Sequence, residues 1–185
     1  MLAGTVKEGQ DGKKMRIAYT KGSGRGDTDL LLAGLAGRLA DLGLRTCGTV
    51  QINTQPEGSG PCDMDVKILP DGPEIRISQS LGRNARGCRL DPSALETAVG
   101  HVAASLAHGA DVMIINKFGK HEADGRGFRD LIAEALERDI PVLVGLNQRN
   151  EDAFRAFIGE AGTSLEPRAD ILVDWVLAGR DRAVA

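Results

Sequence analysis

The chain has 185 residues, 42% of them hydrophobic and 3% aromatic, with a formal net charge of -3. That length allows one domain with a sizeable aliphatic core and excludes two ordinary ones. The near-balanced charge lacks the footprint of a general nucleic-acid binder, and no run approaches the roughly 18 apolar residues that cross a bilayer.

Residues 1–14 are polar and read as a flexible arm ahead of a single domain over 15–185; Leu2-Ala3 is too short for the apolar part of a signal peptide. From Arg16 to Tyr19 an apolar strand is expected, followed by a loop with three glycines and a helix over Thr28–Asp41. Leucines 31, 35, 39 and 42 form its stripe, Asp27 or Thr28 its cap and Gly43 its end. Leu44–Ile52 alternates as a second strand. After a Pro/Gly/Ser-rich loop, Asp65–Leu69 and Glu74–Ser78 flank Pro-Asp-Gly-Pro as a hairpin.

Gln79–Arg89 is the most basic loop, and Asp91-Pro92 caps a helix marked by Leu95, Val99, Val102 and Leu106, which Gly109 stops. Asp111–Asn116 carries the continuous apolar run expected of a strand buried on both faces. The segment 117–127 reads as a polar loop, 128–138 as a helix and Ile140–Leu146 as another buried strand. Asn150 is expected to cap a helix with Phe154, Phe157 and Ile158, and Ile171–Val173 to form a last edge strand. Strands alternating with helices make this an α/β protein: a mostly parallel sheet covered on both faces, with an inserted β-hairpin. Ligands of such sheets bind outside the carboxyl ends of the strands.

The strand–glycine loop–helix beginning is the plan of a phosphate-binding loop, where backbone N–H groups turn inward at a helix N-terminus. Against G-x-x-x-x-G-K-[ST], Lys21-Gly22-Ser23-Gly24-Arg25-Gly26-Asp27-Thr28 keeps the second glycine and the hydroxyl but has Lys21 for the first glycine and Asp27 for the lysine. A tight strand-to-helix turn is the plain alternative. Lys21 and Arg25 are cations the loop itself could offer an anion.

The order of parts resembles the small bacterial and archaeal P-loop nucleoside-triphosphatase family: glycine loop, helix, Gly48-Thr49-Val50 strand, hairpin, Gly87 to Asp91, then an apolar strand and a Phe-Gly-Lys-x-Glu turn. RISQSLGRNARGCRLD and IINKFGKHEADGRGFRD, followed by IPVLVGL, are similar to hallmarks of a related bacterial family of unknown function, often encoded near molybdenum-transport genes. The resemblance covers roughly Arg16–Leu146 and implies a three-layer P-loop NTPase-like fold. In the active enzymes a Walker B Asp-Glu follows the apolar strand; here Asn116-Lys117 stands in its place, while Phe118, Gly119, Lys120 and Glu122 match the family turn. Because the two loops face one another in that fold, an ion pair between Asp27 and Lys117 is expected.

Arg83, Arg86 and Arg89 recur every third residue, and their planar forks suit an oxyanion or simply pair with surface carboxylates. Cys88 sits among them, where a thiolate would be favoured, though buried cysteine is the commoner fate and the one expected of Cys47. Cys62 is the partner open to Cys88. The odd cysteine count without a C-x-x-C pair indicates a reducing cytoplasm and no zinc ribbon. His121-Glu122 with Asp124 has no second histidine at helical spacing, so no metal site is expected; Glu122 caps or buttresses its loop, or orients Lys117.

The combined expectation is binding of a small anionic ligand, a nucleotide or an oxyanion such as phosphate or molybdate. Its contacts would be Lys21, Gly22, Gly24, Arg25, Gly26, Asp27, Thr28, Arg83, Arg86, Cys88, Arg89, Asn116, Lys117 and Lys120, in a role accessory to molybdenum or its cofactor. Two alternatives stand beside it. One is an active Mg2+-dependent nucleoside triphosphatase with Lys117 or Glu122 as catalytic candidates; the other is a non-catalytic module that binds a protein partner.

Overall fold

The computed structural model describes residues 15–54, 63–79 and 89–179. In chain order the elements are β1 (Ile17–Thr20), α1 (Asp27–Asp41), β2 (Thr46–Thr54), β3 (Asp63–Leu69), β4 (Glu74–Arg76), α2 (Pro92–Ala107), β5 (Val112–Phe118), α3 (Lys120–Ala123), α4 (Arg129–Glu137), β6 (Val142–Leu146), α5 (Glu151–Ile158), β7 (Gly162–Leu165) and α6 (Ala169–Leu177). The strands form one sheet in the order β4-β3-β2-β5-β6-β1-β7. From β2 to β7 every pairing is parallel, and β2-β3-β4 is an antiparallel meander at one edge.

Two apolar layers sandwich this sheet. On one face α1 and α6 bring Leu32, Leu35, Leu39, Leu172 and Val176 against Ala18, Ile114 and Leu143. On the other, Leu95, Val102, Leu106, Ile132 and Phe154 from α2, α4 and α5 pack on Ile17, Met113, Ile115 and Val142. Each fully buried aliphatic side chain is worth about 1.5–3 kcal/mol of transfer free energy, so the continuous apolar runs of β5 and β6 hold the sheet centre. The three-layer α/β architecture and the edge hairpin agree with the sequence reading.

Several local expectations are corrected. Ile171–Val173 is helical, because Leu172, Val173 and Val176 fall on one helical face against α1. The edge strand is β7, which has no apolar run and pairs along the free edge of β1. The buried stripe of α1 is Leu32, Leu35, Ala36 and Leu39, while Leu42 is half exposed. Neither Asp27 nor Thr28 caps α1; its N-cap is Gly26 at φ 85°. Ahead of α5, Asn147 accepts from the Asn150 backbone N–H at 3.1 Å, so Asn147 and not Asn150 supplies the capping side chain. Asp91 does cap α2, accepting from Ser93 and Ala94 N–H at 2.9 and 3.2 Å.

Lys117 and Phe118, expected in a loop, extend β5. Ile115 pairs with Val144 and Phe118 with Leu146, so Asn116 and Lys117 together oppose Gly145 in a bulge. A Cβ on Gly145 would lie 2.0 Å from the Asn116 carbonyl oxygen; the bulge needs glycine there. It sends Asn116 inward under α1 and leaves Lys117 exposed.

Candidate functional site

The carboxyl ends of β1, β2 and β5 and the first turn of α1 meet at the glycine loop. Gly22 and Gly24 let 21–26 wind closely over that turn: a Cβ on Gly22 would come within 2.8 Å of Asp27 Cβ, and one on Gly24 within 2.6 Å of Asp27 Oδ2. Two of the loop's donors go to its own side chains. Gly24 N–H donates to Asp27 Oδ2 at 2.7 Å, and Gly22 N–H donates to Thr28 Oγ1 at 2.8 Å. Backbone N–H groups in such a turn suit an anion, and the anion in place is the Asp27 carboxylate. Arg25 is exposed on the rim.

Lys21, offered on sequence grounds as a cation for the loop, points to α5. Its Nζ lies 2.6 Å from Glu151 Oε2, while Arg155 donates from Nη2 to Glu151 Oε1 at 2.9 Å and to the Tyr19 hydroxyl at 3.1 Å. Hydrogen bonds from Lys21 and Arg155 hold the Glu151 carboxyl below the ordinary glutamate value. The chain Lys21–Glu151–Arg155–Tyr19 thus ties the start of the loop to the far face of the sheet.

The expected ion pair between Asp27 and Lys117 does not form. Asp27 turns back onto Gly24, and the bulge places Lys117 outward. Beside the loop stands a polar network of one carboxylate and three side-chain amides instead. Asn116, 4% exposed, donates from Nδ2 to Asp29 Oδ1 at 2.8 Å and accepts at Oδ1 from Gln51 N–H at 2.9 Å. Asn53 donates to Asp29 Oδ2 at 2.8 Å, and the Gln51 side chain reaches Asn53 Oδ1 at 2.7 Å. Asp29 is the hub.

Glu122 is buried, and its carboxylate accepts from Gly119 N–H at 2.8 Å and Phe128 N–H at 3.2 Å. It buttresses the turn, one of the roles the sequence offered. Lys120 is exposed at the start of α3. Arg89 lies 3.4 Å from Asp63 at the β3 end; Arg83, Arg86, Cys88 and Cys62 lie outside the described residues. Cys47 is fully buried in β2, and burial pushes its thiol up to about 12, against an opposing pull from Arg138. Among the described residues no cluster of three or more His, Cys, Asp or Glu could hold a metal ion, and no helix is long and apolar enough to cross a membrane.

Sequence reasoning missed Asp29, Gln51, Asn53 and Glu151. Asp29 and Glu151 each stand in the first turn of a helix, where an acid is ordinarily credited to the helix dipole alone. Only the tertiary pairing of β2 with β5, and of the loop with α5, gives them partners.

A glycine loop between the first strand and first helix, at the carboxyl edge of a sheet with parallel β2-β5-β6-β1 order and helices on both faces, defines a P-loop NTPase-like α/β protein. The chain belongs to the family described as Protein of unknown function (DUF2478), which matches residues 17–175. It is also similar to the protein named Molybdenum import ATP-binding protein ModC 2 of Bradyrhizobium diazoefficiens, at 40% identity over 151 residues. That match takes in 80% of this chain and 17% of the relative, so the chain spans about a sixth of that protein's length. Among solved structures, THEP1 from the hyperthermophile Aquifex aeolicus shares the fold, with a TM-score of 0.59 and 18% identity over 89% of this chain and 98% of that one.

Proposed function

We propose that this chain is a ligand-binding module of the P-loop lineage that binds a nucleotide or a tetrahedral oxyanion at the carboxyl edge of the sheet without hydrolysing it, in a role accessory to molybdenum import. The observation that carries this reading is the contact between Asp27 Oδ2 and Gly24 N–H at 2.7 Å: the loop already holds an anionic group by backbone N–H. Gly22–Thr28 would contact the ligand, with Arg25, Lys117 and Lys120 as exposed cations nearby. Arg83, Arg86 and Arg89 enter the proposal on sequence grounds alone, as further ligand contacts. The relative's name, a molybdenum import ATP-binding protein, supports both the nucleotide and the molybdenum side of the proposal.

Support for binding without hydrolysis comes from the donor set beside the loop. The Walker A and B motifs are read here as degenerate. A Mg2+ ion would need a carboxylate where Asn116 stands, and Asn116 presents its amide hydrogens to Asp29. Both Asp29 oxygens accept from amides, and the Thr28 hydroxyl accepts from Gly22 N–H. This set does not fit Mg2+. Glu122, the carboxylate closest to a catalytic role on sequence grounds, is buried and engaged with two backbone donors, and Lys117 is exposed.

The test is a thermal-shift and phosphate-release screen with ATP, GTP, phosphate, molybdate and tungstate, each with and without Mg2+. The expected result is stabilisation by at least one of these anions without Mg2+ and no release of phosphate; a ligand at 100 times its dissociation constant stabilises by about 2.7 kcal/mol. Mg2+-dependent phosphate release would overturn the reading in favour of an active triphosphatase. No shift with any anion would favour a protein-interaction module.

A further inference from the structure

We propose that the glycine loop is self-occupied: Asp27 holds the Gly24 N–H donor and Glu151 holds the loop's lysine, so an oxyanion enters by displacing Asp27 from Gly24 and drawing Lys21 away from Glu151. This rests on the oxyanion-binding reading above and deepens it by naming what regulates the site. An anion-binding loop needs free N–H groups and a free cation. Here the Gly24 donor and the Lys21 cation are engaged by different parts of the chain. Asp27 Oδ2 accepts from Gly24 N–H at 2.7 Å, three residues back along the loop, and a Cβ on Gly24 would overlap that oxygen at 2.6 Å. Lys21 Nζ lies 2.6 Å from Glu151 Oε2, on a helix that follows β6 rather than β1.

A third feature points to the same place. Thr20, the last residue of β1 and the neighbour of Lys21, is fully buried, and its hydroxyl has no hydrogen-bond partner among the described residues. It lies on the sheet face of Ala18, which packs under α1, at the end of the strand from which the loop rises. Buried hydroxyls are nearly always paired. In the self-occupied loop the Gly22 donor goes to Thr28 and the Gly24 donor to Asp27, so neither serves an anion beside Thr20. Exchange would redistribute those donors and supply the missing partner.

The exchange also makes the site's state visible at a distance. Glu151 is shared between Lys21 and Arg155, and Arg155 in turn holds the Tyr19 hydroxyl and lies over its ring at 6.0 Å. Loss of Lys21 to a ligand leaves Glu151 to Arg155 alone. The α5 end of the molecule therefore registers what occupies the loop.

The test measures the affinity of inorganic phosphate and of molybdate for the wild-type chain, Asp27→Asn and Glu151→Gln by calorimetric titration, with the Gly24 amide resonance followed by NMR. Asp27→Asn keeps the shape and removes the competing charge. It should tighten binding by at least about fivefold, the factor that one like charge roughly 4 Å away costs in fully solvated surroundings. Glu151→Gln frees Lys21 and should tighten binding in the same direction, and phosphate should move the Gly24 resonance in the wild-type chain. Tighter binding by both variants supports the exchange, including the case in which only the variants bind measurably. Wild-type binding that neither variant improves, with native circular dichroism and melting temperatures, overturns the exchange and leaves the binding reading standing. Binding by none of the three overturns the exchange and removes the oxyanion half of the reading as well.

Discussion

The side-chain amide of Asn116 donates to Asp29 at 2.8 Å, joining the carboxyl end of β5 to the first turn of α1. A carboxamide is what this position requires, because Asp29 is already a carboxylate and Asn116 is 4% exposed. Asn116→Asp would set two carboxylates against each other in a buried place, and one of the pair would titrate above its unfolded value. A raised carboxyl favours the folded state only at low pH, so the deficit grows as pH rises. The variant should lose about 2 kcal/mol at pH 7, or about 4–8 °C in Tm, and recover most of it near pH 4.5. Thermal melts at the two pH values check this.

Glu151 titrates in the opposite sense. Lys21 and then Arg155 hold its carboxyl below the ordinary value of 4.5. A depressed folded value contributes stability that is present above 4.5 and lost as pH falls through the folded value. Wild type should therefore lose stability more steeply than Glu151→Gln between pH 5 and pH 3, estimated as about the acid window of a paired carboxylate. Urea midpoints across that range measure it.

Two glycines separate close approach from helix propensity. Gly48 has φ 104°, and a Cβ there would lie 1.9 Å from the Ile114 carbonyl oxygen across the β2-β5 pair. Gly48→Ala should cost about 3 kcal/mol. In α1, a Cβ on Gly34 meets nothing within 4 Å, so Gly34→Ala should stabilise by about 1 kcal/mol. Denaturant titration of the two variants should give shifts of opposite sign.

Cys47 should be inert while the protein is folded. Its thiol is pushed up to about 12 by burial and its side chain is fully covered, so the nucleophilic thiolate is scarce at pH 8. In a Cys62→Ser, Cys88→Ser background a thiol reagent should modify Cys47 only at the rate of unfolding. Because the folded value is raised, this group's contribution to stability is complete below about 9 and declines as pH rises toward 12. Reaction in native buffer as fast as in denaturant would contradict the burial argument.

The amino-acid sequence by itself determined the layers of this protein and the place of its loop. The apolar runs at 112–115 and 142–146 read as strands covered on both faces, and Asp91-Pro92 reads as a helix start. Three glycines between β1 and α1 announced the loop. These signals are local, set by spacing and backbone freedom over a few residues.

The partners of the charged residues were decided by tertiary structure. Asp27 and Lys117 looked complementary in a list of loops, yet Asp27 finds Gly24 three residues away, while a one-residue bulge opposite Gly145 leaves Lys117 outside and Asn116 in. Lys21 meets Glu151 across 130 residues of sequence, and Asp29 meets Asn116 across 87. The strand β7 has no pattern of its own and exists because β1 leaves an edge to pair. A charge interacts over a few ångströms in space whatever its separation in sequence, so only the packed sheet could choose which pairs form.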